Sequence, residues 1–212
     1  MYLSTHPLDD FKYEMQTFVN ATCASLNTNL EQLVNHEVTF AGIVSDARNG
    51  VSKRGSAYGA MTIEDYTGSY EIMMFGDEKM KFSNYFVPGG FLFIRGLVNK
   101  RIYTNQYTGE KTTMPARLQI QEIRLLSEVM DALTKTISFE VNLEDVSEPF
   151  VKELQALAKK HKGNASMQIN VIDSTDNLSL QMRSASLLVS PHEIVPLLES
   201  LPQIHNVKLS SK

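Results

Sequence analysis

The sequence predicts a mixed fold, a five-stranded β-barrel domain followed by a small α+β domain. Three observations carry this: a switch to two-residue apolar alternation at Glu37, five strand-like runs with one helix-like run between the third and fourth, and a strand-helix alternation after residue 136. At 212 residues with 42% apolar and 21% charged side chains, the chain has enough apolar surface for one large or two modest cores.

Residues 1–35 read as a helical linker segment. Pro7 suits a first helical turn, and Phe11, Met15, Phe18 and Val19 follow at helical spacing. Residues 20–36, rich in Asn, Thr and Ser, read as a connector with a short turn near Leu30 to Leu33.

Residues 36–126 form the barrel. Val38, Phe40 and Val44 alternate with Thr39, Ala41 and Ile43 in a first strand that runs into the basic, glycine-bearing loop Arg48 to Gly55. Residues 58–64 and 69–75 make a hairpin around the turn Asp65-Tyr66-Thr67-Gly68. A short helix is expected over 77–86, ended by Pro88-Gly89-Gly90, then strands over 91–100 and 116–126 that flank a polar excursion over 101–115. Five strands in this order, with the helix after the third, are the layout of an OB-fold, which binds oligonucleotides across strands two and three and through the loops after strands one and four.

The remainder, 136–212 after a linker at 127–135, reads as an α+β protein-interaction domain. Strands are expected over 137–143, 166–172, 178–183, 186–189 and 206–209, and helices over 146–160 and 191–201. Ser190-Pro191-His192-Glu193 has the pattern of a capping box, Glu193 reaching back to the chain at Ser190. His161-Lys162-Gly163-Asn164 reads as a helix end with Gly163 in a left-handed cap.

Charge is distributed unevenly. Residues 36–126 hold eleven Lys and Arg against nine Asp and Glu, whereas the flanking segments are acidic, and the whole chain carries −4. A nucleic-acid surface is therefore expected on the barrel. In the loop after strand one, Arg48, Lys53 and Arg54 can place cations against phosphates. In the loop after strand four, Lys100, Arg101, Tyr103, Tyr107 and Lys111 interleave cations with stacking surfaces. On strands two and three, Met61, Ile63, Tyr70, Ile72 and Met74 share one face, so that Ala60, Thr62, Glu71, Met73 and Phe75 floor the candidate groove, with Tyr58 at its end. With roughly five cations able to release counterions, binding should be weak, sequence-tolerant and salt-sensitive.

Other chemistries find no support. Five scattered histidines, no metal-ligand spacing and no phosphate-binding glycine motif leave no catalytic or metal constellation, and no cofactor is expected. The single Cys23 reads as a small buried filler, and Asp65 as a turn residue bonded to backbone. No apolar run approaches a membrane span and no secretory leader is evident, so a cytoplasmic location is expected.

Three stretches resemble a known family in order as well as wording: Tyr2-Leu3-Ser4-Thr5-His6-Pro7, then Val51-Ser52-Lys53-Arg54-Gly55, then Thr62 to Phe75 with Glu64-Asp65-Tyr66-Thr67-Gly68 at its centre. They are similar to the Y-L-S-G-H-P, V-T-K-K/R-G and T-L-E-D-x-T-G-x-x-E-V-x-x-F elements of bacterial DNA polymerase III alpha subunits. Thr5 stands where the family often has glycine, and Ser52 where it often has threonine. His161-Lys162-Gly163-Asn164 and Val189-Ser190-Pro191 extend the resemblance toward the C-terminus.

The resemblance implies a bacterial replicase. Its OB domain would engage single-stranded template DNA, and its C-terminal domain would bind the clamp-loader tau subunit within the replisome. The parent subunit would be a DNA-directed DNA polymerase, a nucleotidyltransferase whose active-site carboxylates lie upstream, so this stretch would hold no active site and Met1 would be an artificial start. The alternatives are an anticodon-type RNA-binding OB module, which would need a large catalytic domain downstream, and a protein-interaction scaffold that has lost nucleic acid.

Overall fold

In the computed structural model, described for residues 6–51, 55–100, 102–104, 109, 111–176 and 178–211, two units divide between Ser127 and Glu128. The side chains of Tyr103, Thr104 and Ala185 lie outside the description.

The first unit is built on a five-stranded antiparallel sheet in the order β3-β2-β1-β4-β7, formed by β1 (Glu37–Val51), β2 (Ala57–Asp65), β3 (Gly68–Phe75), β4 (Phe91–Asn99) and β7 (Arg117–Leu125). The long β1 pairs with β4 through Ile43 and with β2 from Ile43 onward, with a bulge between Val44 and Asp46. One strand thereby serves both halves of a curled sheet, since a bulge bends and twists its strand. The helix α3 (Gly76–Phe82) lies between the third and fourth strands of that sheet, as an OB-fold requires. Alternation aims Phe40, Met61, Ile63, Ile72, Met74 and Ile94 into one core, closed from α3 by Phe82.

The ladder does not close between β3 and β7; side chains span that gap. Arg117 Nη2 donates to the Met73 carbonyl at 3.1 Å and to Glu78 Oε2 at 2.7 Å, while Glu78 Oε1 accepts the Ile120 N–H at 2.9 Å. A carboxylate from α3 thus satisfies an edge amide of β7 that a closed barrel would give to a strand.

The segment read as a linker belongs to this unit. A 3-10 turn (Pro7–Phe11), α1 (Lys12–Thr17) and α2 (Cys23–Asn29) precede β1, and Cys23 and Leu26 enter the core. Thr22 and Ser25 cap α2 reciprocally, each side chain accepting the other's backbone N–H. The β2–β3 turn fixes the same helix. Asp65 Oδ1 accepts the Thr67 N–H at 2.7 Å, its Oδ2 accepts the Cys23 N–H at 2.8 Å, and Thr67 Oγ1 accepts the Ala24 N–H at 3.1 Å. Tyr66 donates its hydroxyl to Asp9 at 2.8 Å, and burial with that carboxylate pushes its pKa up to about 12.

The polar excursion over 101–115 contains a two-stranded ribbon, β5 (Ile102–Thr104) against β6 (Lys111–Thr113). The expected linker at 127–135 is largely helical, as α4 (Leu126–Leu133), because Val129 and Met130 carry apolar area that burial removes from water.

The second unit carries a four-stranded sheet in the order β10-β9-β8-β11, made by β8 (Thr136–Asn142), β9 (Lys162–Asp173), β10 (Leu178–Val189) and β11 (His205–Ser210). The only parallel pair described, β8 with β9, is joined by α5 (Glu148–Lys160), and α6 (Pro191–Ser200) joins β10 to β11. The two strands expected over 178–189 are one, with its register broken between Arg183 and Leu188.

Two local readings change here. Gly163 is inside β9 without a positive φ, and a Cβ on it would stand 2.4 Å from the Ser190 backbone nitrogen, so the glycine serves close strand approach rather than a left-handed cap. Ser190 does cap α6 by accepting the Glu193 N–H at 3.4 Å, but the Glu193 carboxylate bonds His161 Nδ1 at 2.9 Å instead of reaching back. The Ser190 hydroxyl itself donates to Asp131 of α4 at 3.0 Å, and Asp131 also accepts the His192 N–H. No helix among the described residues is long and apolar enough to cross a membrane.

Candidate nucleic-acid interface

Because β1, β2 and β3 are in register, their outward side chains form three rows. The first is Gly50, Tyr58 and Phe75; the second Arg48, Ala60 and Met73; the third Asp46, Thr62 and Glu71. Met73 and Phe75 are 41% and 39% exposed, whereas Ile72 and Met74 are buried, so the parity expected for this hairpin holds through Phe75 without a bulge.

The first row is aromatic. A Cβ at Gly50 would meet the Tyr58 ring at 2.6 Å, so glycine is what lets that ring lie across β1. The Tyr58 and Phe75 ring centroids are 6.0 Å apart, and the Arg117 guanidinium stands 5.5 Å from the Phe75 centroid on the far side of the gap. Two aromatic rings and a guanidinium thus follow one another across neighbouring strands, the residue types on which flat, sequence-tolerant stacking is built.

The third row is acidic, with Thr62 half-buried between Asp46 and Glu71. Arg48 crosses over the small Ala60 to pair with Glu71 and also stands 3.7 Å from Asp46. Two carboxylates therefore hold this cation, and the acidic end of the face is the less suited of its two ends to an anion.

The loop residues divide. Lys100 Nζ pairs with Glu31 at 2.5 Å, and Glu31 also accepts the Ala116 N–H at 2.8 Å, so one carboxylate grips both roots of the β5–β6 ribbon. The Ala116 amide and then Lys100 hold the Glu31 carboxyl below the usual carboxylate range. Lys111 is exposed on β6. Lys53, Arg54, Arg101 and Tyr107 lie outside the described residues, as does the side chain of Tyr103.

Arg117 is absent from the sequence-derived set. Its outward parity beside Leu118 and Ile120 is visible in the sequence, but its place next to Phe75 follows only from the curl that brings β7 to β3. Among the described residues, no three His, Cys, Asp or Glu side chains converge as metal ligands. Burial, then the neighbouring Asp65 carboxylate, push the Cys23 thiol up to about 12, which keeps it protonated and unreactive.

Comparison with known proteins matches each unit separately. Residues 38–126 match a family described as OB-fold nucleic acid binding domain, and residues 137–206 match the DNA polymerase III alpha subunit, C-terminal domain. The DNA polymerase III subunit alpha of Pasteurella multocida is 22% identical over 163 residues, covering 77% of this chain, and that of Haemophilus influenzae is 22% identical over 171 residues, covering 81%. The chain is thus similar, over both of its units, to the C-terminal region of DNA polymerase III alpha subunits. It spans only 13% and 14% of the length of those two alpha subunits. The mitochondrial single-stranded DNA binding protein Rim1 of S. cerevisiae aligns with a TM-score of 0.28 and 18% identity, over 42% of this chain and 91% of its own.

Proposed function

We propose that the first unit holds single-stranded DNA across the outward face of β1, β2 and β3, as part of a replicative polymerase whose catalytic centre lies elsewhere in the parent subunit. The observation that carries this is the Tyr58, Phe75 and Arg117 line on the strand-two and strand-three face of an OB topology. Bases stack on the rings beside Arg117, the loop cations Lys53, Arg54, Arg101 and Lys111 take phosphates, and Tyr103 and Tyr107 are further stacking candidates. The stretch uses no cofactor and works in the cytoplasm.

The second unit, in this reading, binds the clamp-loader tau subunit and connects the polymerase to the rest of the replisome. The free edge of β10 supports it: Leu178 and Leu180 are 64% and 60% exposed there. Beside them an apolar cavity of about 270 Å³ opens between α5 and the sheet, lined by Val151, Leu154, Ile169 and Met182 among others. An unprotected edge next to an apolar cavity suits an added strand from a partner.

Fluorescence anisotropy of labelled 12-nucleotide single strands and duplexes over a salt series tests the first part. The expected result is preference for the single strand, weakened by salt and by Phe75→Ala; no binding at low salt overturns it. Interferometry of the whole chain against immobilised tau tests the second, with Leu180→Lys expected to abolish a signal that the wild type gives.

A further inference from the structure

The geometry points to a second phosphate-binding site on the outward face of β4 and β7, centred on Arg95 and Arg124. It rests on the reading that the first unit binds nucleic acid. A β-bulge makes the site: Arg95 is in register with Glu122 and Gly96 with Ile120, so Gln121 is the extra residue. That insertion turns Glu122 onto the side of Arg95.

Glu122 then serves two guanidiniums, Oε2 accepting from Arg95 and Oε1 from Arg124 Nε and Nη2. Lys81 from α3 lines the adjoining depression of about 430 Å³ together with Tyr85, Arg95 and Glu122, its ammonium donating to the Gln121 carbonyl at 3.1 Å. Two guanidiniums thus share one carboxylate, and Lys81 adds a third cation to the adjoining depression. Residues 36–126 as a whole have a surplus of two, and Arg48, Lys100 and Arg117 are each matched by an acid.

The carboxylate acts as a template. It satisfies one side of each guanidinium and holds both in place, at 39% and 37% side-chain exposure, while further N–H donors of Arg95 have no acceptor among the described residues. A phosphodiester brings several acceptor oxygens and a negative charge to that unfilled donor set, and a pre-held guanidinium pair loses little side-chain freedom on binding it. The adjoining polar side chains, Tyr85 and Gln121, suit a phosphate better than the apolar side chains of a peptide.

The test uses the whole chain. In NMR, the Arg95 and Arg124 Nε–Hε signals are expected to shift when a 12-nucleotide oligothymidylate or inorganic pyrophosphate is added, and not with an oligoglutamate of equal length. In anisotropy, Arg95→Gln with Arg124→Gln should flatten the dependence of log affinity on log salt by about 0.7 per phosphate lost. Glu122→Gln, which keeps both guanidiniums, should raise affinity; a purely structural ion-pair role would lower stability there without that gain. Lys81→Gln is the milder variant should the double substitution fail to fold. Oligonucleotide shifts at Tyr58 and Phe75 with none at the two arginines overturn this site alone. Absence of any oligonucleotide shift sinks the parent reading, and pyrophosphate then decides whether the anion site stands by itself. A response to oligoglutamate in place of both phosphate probes makes the surface a protein contact and overturns the inference.

Discussion

Glu31 stands 2.5 Å from Lys100 and at the same time accepts the Ala116 N–H, so a residue ahead of the barrel clamps the two ends of a ribbon in its last third. Its carboxyl is held low by the Ala116 N–H and Lys100. A depressed folded-state value means that the clamp's contribution is complete above the unfolded carboxylate range and disappears as pH falls through the folded value. The protection factor of the Ala116 amide, its exchange rate relative to the unstructured chain at the same pH, should therefore stay constant from neutral to mildly acidic pH, then fall under stronger acid. Glu31→Gln should show the weakened state at neutral pH, and a wild type already unprotected there would remove the clamp.

Arg48 is restrained by Glu71 on the outward face of β1, β2 and β3, where the single strand is proposed to bind. Releasing it should help phosphate more than it harms the fold, because an exposed pair contributes about 0–1 kcal/mol to stability. Glu71→Gln is expected to tighten single-strand binding about two- to fivefold at low salt, with the gain lost at high salt. Unchanged affinity at every salt concentration would place the strand elsewhere.

Stacking and charge should separate experimentally. Phe75→Ala removes a ring without removing a cation, so affinity should fall by about 1–3 kcal/mol at constant salt dependence. Lys111→Ala should do the reverse, flattening the salt dependence by about 0.7 with a small loss at high salt. The same anisotropy titrations report both, and a Phe75→Ala protein that binds like wild type would end the platform reading.

Asp65 joins the hairpin turn to the start of α2 by accepting from Thr67 and Cys23. Asp65→Ala leaves the buried Cys23 N–H without its acceptor and should cost about 2–3 kcal/mol in urea unfolding. It should also expose Cys23. In the wild type at pH 8, a thiol pushed up to about 12 should react with an aromatic disulfide reagent only as fast as the protein opens. Rapid labelling of native wild type would contradict that burial.

Legibility in the sequence followed the range of the interaction. The outward parity of Tyr58, Thr62, Met73 and Phe75 depends on the pleat alone, and two-residue alternation displays it. The turn role of Asp65 is equally local, since Thr67 is two positions away. By contrast, Arg117 meets Phe75 only because the sheet curls, and Lys100 meets Glu31 only because the N-terminal segment packs on the barrel. Gly163 looked like a helix end because Lys and His precede it, while its real constraint is the backbone of Ser190, distant in sequence. The cap of α2 uses Ser25 where the familiar pattern has Glu or Gln, so a genuine helix read as a polar connector.

The bonds between the β2–β3 turn and α2 have a thermodynamic corollary. A hairpin held at its tip by Cys23, Ala24 and Asn27 is fixed by the chain itself, without help from a ligand. Little ordering then accompanies association, so the heat-capacity change on binding should reflect only the surface covered by the bases, with no additional contribution from coupled folding. On the proposed reading, such a face is a fixed template whose aromatic and acidic rows keep their spacing whether or not a strand is bound.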